Sequence, residues 1–187
     1  ICGFLSPSKG KIKADNQEIQ NNLSSWQKKI GLVPQDNYLL DDTIKNNIIF
    51  LDDKNFVDEK RLQEAIYYSG LKDLIGTGLK IDSKVGEGGA QLSGGQIQRI
   101  ALARLLYKDP EILILDEFTN SLDPENEDFI VDKLVQLKNE KKKTIIIVSH
   151  KIKPLKICDE IILLENKNIK EKFSYDAFYN KFSSLYE

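Results

Sequence analysis

Methionine is absent from all 187 residues, and the chain begins with isoleucine, so the expectation is a piece of a longer protein that lacks at least its N-terminus. Cysteine is almost absent. Cys2 and Cys158 stand alone without metal-ligand spacing, which excludes a disulfide scaffold and predicts two buried thiols in a reducing compartment. No apolar run approaches the roughly 20 residues that cross a bilayer; stretches such as 145–148 and 161–164 are far shorter. No charged start, apolar stretch and small-residue cleavage site marks a secretory signal. Neither sign of charge dominates, since 27 basic against 29 acidic residues gives 27 − 29 = −2, and without a long basic block non-specific nucleic-acid binding gets no support.

What is present suits one globular domain with a real core: 41% hydrophobic and 30% charged residues, far from the disordered corner. Unbroken β-branched and aliphatic runs at residues 30–33, 112–115, 144–148 and 161–164 read as strands buried on both faces, which predicts a parallel sheet. Helical patterns occupy 59–69, 95–107 and 125–139, the last with Ile130, Leu134 and Leu137 on one face. The alternation predicts an α/β layer structure. Residues 11–14, between the turn cluster 6–10 and Asp15-Asn16, read as an exposed edge strand. Residues 37–90 show helical pieces and no convincing buried strand, as in a helical insertion. From Ser174 a C-terminal helix is expected, packed through Phe178, Phe182 and Leu185.

Two patterns carry chemistry. Four apolar residues run into Asp116-Glu117, and ligands of parallel sheets bind beyond the carboxyl ends of the strands. Asp116 is then placed to hold Mg²⁺ and Glu117 to polarise a water beside a γ-phosphate, although a strand ending in a solvated acidic turn looks the same alone. The second pattern is Leu92-Ser93-Gly94-Gly95-Gln96 ahead of a helical run. Its glycines let backbone N–H groups approach an anion at a helix N-terminus; Ser93 equally suits a helix cap.

Together these residues resemble the ABC ATPases: Leu92 to Gln96 their signature motif, and Asp116-Glu117 their Walker B acids. Gln35 after Gly31-Leu32-Val33-Pro34 is similar to the Q-loop, Ser121-Leu122-Asp123 to the D-loop, and Ser149-His150 to the switch-histidine loop. Val85 to Gln91, with Glu87, resembles the X-loop of exporter-type domains; Trp26 and Asp41-Asp42-Thr43-Ile44 faintly resemble flippases of lipid-linked oligosaccharides.

The resemblance implies a P-loop NTPase core with a mostly parallel sheet, residues 1–36 and 108–187, and a helical subdomain, 37–107. It implies ATP and Mg²⁺ as cofactors. Glu117, His150 and Gln35 would be catalytic, with Asp116 and Gln35 at the metal. Ser93, Gly94, Gly95, Gln96 and Asp123 would face nucleotide held by a second ABC domain in a head-to-tail dimer. It also implies transmembrane domains, fused upstream and met near Glu87, at the cytoplasmic face of a membrane. The other readings are a soluble ABC ATPase acting on nucleic acid or ribosomes and a silent ATP-binding partner. No G-x-x-x-x-G-K-[ST] phosphate loop occurs in the 187 residues. Residues 1–5 resemble the end of the helix that follows that loop, so the expectation is a chain lacking the N-terminal strands and P-loop, inactive and poorly folded alone.

Overall fold

The computed structural model describes residues 1–50, 56–75 and 78–183. Its centre is a parallel three-stranded sheet of β3 (Ile30–Val33), β4 (Ile112–Asp116) and β5 (Thr144–Val148), with β4 in the middle. Leu113 and Leu115 are fully buried on one face of β4, and Ile114 is 7% exposed on the other. Pro110 and the charged Glu111 stop the pattern at one end, Asp116-Glu117 at the other.

Against Leu113 and Leu115 pack α5 (Gly94–Tyr107), through Ala101, Leu102 and Leu105, and α6 (Pro124–Lys141), through Ile130, Val131, Leu134 and Leu137. Fully burying each such Leu or Ile contributes about 1.5–3 kcal/mol. The opposite side of α5, with Ile100, Ala103 and Tyr107, serves a second core. That core includes α2 (Ile44–Ile49), α3 (Glu59–Tyr68) and α4 (Leu71–Leu74). A helix apolar on both sides is one that is enclosed on both sides. Side-chain caps start these helices where the sequence offers them: Thr43 for α2, Asp58 for α3, and Asp123 with Pro124 in the first turn for α6.

Several expectations need correction. Residues 161–164 do not join the parallel sheet. They form β6 (Ile161–Glu165), antiparallel to β7 (Asn168–Phe173) through Asn166 and Lys167, both at positive φ, and Ile162 and Leu164 are exposed. Two residues leave only enough chain to reverse, so the partner must be antiparallel. Burial on both faces holds for β4 alone, because β3 and β5 are the sheet's edges: Leu32 is 37% and Val148 49% exposed. The edge strand at 11–14 shrinks to β1 (Lys13–Ala14), paired with β2 (Gln17–Glu18).

No helix forms at residues 1–5. Both cysteines are half-buried rather than buried. The expected C-terminal helix is α7 (Tyr175–Phe182), capped by Ser174 and packed through Phe178 and Phe182 on Phe173; Leu185 lies outside the described residues. The helix α1 (Leu23–Lys29) carries no buried residue and went unread for lack of an apolar stripe.

Candidate functional site

The strands of the parallel sheet end level with one another, Val33 opposite Leu115 and Asp116 opposite Val148. Each then releases its next residues at one edge: Pro34-Gln35, Glu117 and Ser149-His150. At Glu117 the backbone turns into the left-handed region at φ 48°, while its N–H still donates to the Val148 carbonyl at 2.9 Å. Such a conformation costs a non-glycine residue energy and persists only where neighbours hold it. Here Asn120 does so twice, donating its N–H to the Glu117 carbonyl at 3.1 Å and its side-chain amide to Glu117 Oε2 at 2.6 Å.

The other carboxylate oxygen, Oε1, lies 3.0 Å from His150 Nε2. Glu117 is 14% exposed at its side chain and His150 85%, so the acid is held and the imidazole faces outward. Asp116 is half-buried beside it, and Gln35 is exposed at the same edge. Among the described residues no hydrogen bond joins Gln35 to either acid. Asp116 and Gln35 offer a carboxylate and an amide oxygen, hard donors of the kind that would suit Mg²⁺ alongside phosphate and water. No group of three or more His, Cys, Asp or Glu suited to a metal occurs among the described residues.

The glycine turn forms a second group. Ser93 Oγ accepts from the Gln96 N–H at 3.3 Å, and Gln96 Oε1 accepts from the Ser93 N–H at 2.9 Å. This is a capping box at the start of α5, and Ser93 remains exposed. A Cβ on Gly94 would stand 3.2 Å from Ser121 Cβ, and one on Gly95 would stand 3.1 Å from Leu122 Cδ2. The turn therefore packs tightly on the Ser121-Leu122-Asp123 loop of its own chain.

Asp123 caps α6 by accepting from the Asn126 N–H at 2.9 Å. That N–H, the Asn126 side-chain amide and the charge of Arg99 hold its carboxyl below the usual range. Arg99, 4% exposed on α5, donates to Asn126 Oδ1 and to the Gly70 carbonyl at 3.1 Å. The structure thus joins Glu117 to His150, and the glycine turn to the Asp123 loop. No hydrogen bond or ion pair among the described residues joins these two groups to each other. Glu87 is exposed, in a 3₁₀ turn at Glu87–Gly89.

Sequence reading missed Asn120, Arg99 and Asn126. Asn120 had a usable signal, its i+3 spacing from Glu117; Arg99 had none, because a lone Arg on a helix gives no sign that it is buried.

A model of the ABC transporter family matches residues 1–120. The chain is 35% identical over 189 aligned residues to the mitochondrial ATP-dependent permease MDL1 of Schizosaccharomyces pombe, a match over 100% of this chain and 26% of that protein. It is 38% identical over 172 residues to a putative multidrug export ATP-binding/permease protein of Staphylococcus aureus, covering 91% of this chain and 29% of the relative. Among solved structures, a bacterial Atm1-family ABC exporter with ATP bound superposes with a TM-score of 0.85 at 31% identity, over 96% of this chain and 31% of that one. The chain therefore spans less than a third of each of these relatives. A family match running from the first residue through both strand-end acids, and a solved domain that superposes on nearly the whole chain, lead to one assignment: the chain belongs to the ABC transporter family and has its P-loop ATPase fold.

Proposed function

We propose that this chain is part of the ATP-hydrolysing domain of an exporter-type ABC transporter. The observation that carries the reading is the Glu117–His150 pair, 3.0 Å apart at the carboxyl edge of a parallel sheet and next to Asp116. Two copies, or this chain and a related one, would associate head to tail. Each ATP would lie between the Asp116-Glu117 edge of one subunit and Ser93 to Gln96 of the other. Residues 37–107 would act as the helical subdomain, with the exposed Glu87 turn facing transmembrane domains at the cytoplasmic side of the membrane.

Asp116 and Gln35 would hold Mg²⁺, which supplies charge neutralisation along the phosphates when bound. Glu117 would orient the attacking water and take its proton onto Oε2 or Oε1, and His150 would fix the carboxylate and reach the γ-phosphate. The N–H groups at the start of α5, with Ser93, would meet the phosphates of the facing site, and Asp123 would line the same seam. Chemistry of this kind is mainly positioning and electrostatic complementarity. Without a phosphate-binding loop the 187 residues by themselves would hydrolyse ATP poorly.

The test is Glu117→Gln in the full-length protein. Turnover should fall about 100-fold or more, the range for losing a general base, while ATP stays bound. Near-normal turnover would overturn the role of Glu117.

A further inference from the structure

Lys151, directly after His150 and outside the family motifs, is tied to three residues, Ser149, Thr119 and Glu127, by four contacts. Its N–H donates to Ser149 Oγ at 2.9 Å, and Ser149 Oγ donates to the Lys151 carbonyl at 2.9 Å, which closes the histidine loop on itself. Its ammonium donates to the Thr119 carbonyl at 3.1 Å. The same ammonium lies 3.2 Å from Glu127 Oε1.

Each partner belongs to the site's scaffold. Thr119 lies in the turn between Glu117 and Asp123, and its carbonyl also accepts from the Leu122 N–H at 3.1 Å. Glu127 is in the first turn of α6, the helix capped by Asp123, and is 5% exposed. No hydrogen bond of good geometry reaches Glu127 Oε1; Lys151 is the cation paired with it at 3.2 Å, and the charge of Lys153 acts on Glu127 only as a smaller, added attraction. A buried carboxylate left without its cation is strongly unfavourable, whereas exposed pairs contribute little. The neighbouring pairs between this segment and α6, Lys153–Asp128, Lys156–Asp132 and Lys138–Asp159, all involve exposed carboxylates. Lys151–Glu127 is the buried rung of that ladder.

We infer that Lys151 is a positioning residue: it straps the His150 loop to the 117–123 turn and to α6, and so fixes the Glu117–His150 pair and the Asp123 loop as one unit. The inference rests on the proposed ATPase reading for its consequence in rate, but not for the strap itself.

The experiment uses the full-length protein with Lys151→Met, Lys151→Arg and the double variant Lys151→Met with Glu127→Gln. Backbone hydrogen exchange reads the strap directly. Lys151→Met should speed exchange roughly 10-fold in peptides covering 117–123, where the Asn120 and Leu122 N–H groups close the turn, and leave β6–β7 peptides unchanged as the folding control. ATP turnover reads the consequence. In Lys151→Met, kcat should fall roughly 10- to 100-fold with KM for ATP little changed, the pattern of a misplaced group rather than lost binding. Lys151→Arg keeps the charge and should recover most of the rate. The double variant, with no orphaned carboxylate, should lie closer to wild type than Lys151→Met.

Unchanged exchange at 117–123 in Lys151→Met overturns the strap whether or not the protein hydrolyses ATP. Faster exchange with normal kcat overturns the positioning role, as does failure of Lys151→Arg to recover rate. A wild-type protein without ATPase activity would sink the proposed function instead, and the exchange result would still decide the strap.

Discussion

Arg99 shows how much of the candidate site is held by groups packed behind it. It is 4% exposed, and burial pushes its guanidinium below its usual pKa, yet an arginine stays charged throughout the accessible range. Its charge is answered by the Gly70 carbonyl and Asn126 Oδ1, and Asn126 in turn holds Asp123. Replacing Arg99 by Leu keeps roughly the volume but removes a charged donor from both oxygens, although the Gly70 carbonyl, as N-cap of α4, keeps its place in the helix ladder. A hydrogen bond to a charged group contributes roughly 1.5–3 kcal/mol, so urea denaturation of Arg99→Leu should show a loss of about that size. Stability equal to wild type would mean the two acceptors find water instead. The residues readable in the sequence, Asp116, Glu117, Ser93 to Gln96 and His150, are those whose type and spacing follow from chemistry. Asn120 could be read from its i+3 spacing to Glu117, but Arg99 and Lys151 matter through packing geometry, and a sequence carries no direct sign of what lies across from a side chain in space.

Among the elements, α5 and α6 were legible because both have sharp starts: a Ser-x-x-Gln capping box and an Asp-Pro cap, each followed by periodic apolar residues. The strands were legible as strands but not as partners. Residues 112–115 and 161–164 are both four aliphatics, yet the first is the central parallel strand and the second half of an exposed hairpin. The difference lies in Asn166-Lys167, a two-residue turn that lacks the glycine which usually announces one.

Between helices, Tyr68 on α3 donates its hydroxyl to Glu140 on α6. Burial, first, and then this bond to a carboxylate raise the Tyr68 hydroxyl from 10.0 to about 12, and the same bond holds Glu140 below its ordinary value. The signs differ. A raised folded-state pKa gives stability that is full below pH 10 and lost as pH rises from 10 towards about 12; a depressed one is lost as pH falls through the acidic range. The stability difference between wild type and Tyr68→Phe should therefore be flat across neutral pH and shrink at both ends. A difference that grows above pH 10 would contradict the assignment.

For the whole molecule, the consequence lies on the side of the sheet away from α5 and α6. Leu32, Ile114 and Ile146 share a register row, and alternation places all three on the face opposite Leu113 and Leu115. Leu32 is 37% exposed on that face. The outer edge of β5, Thr144-Ile145-Ile146-Ile147-Val148, has no partner strand among the described residues and no Pro or charge to blunt it. Edge strands of this composition template pairing with other chains. Ile162, Leu164 and Ile169 add an apolar face on the separate hairpin. The 187-residue chain by itself should thus self-associate at roughly 10 μM, through β5, and sediment as oligomers. Val148→Lys puts a charge at that edge and should shift the population toward monomer. A wild-type chain that sediments as a monomer at that concentration, with a reversible cooperative melt, would show that the open edge is already protected.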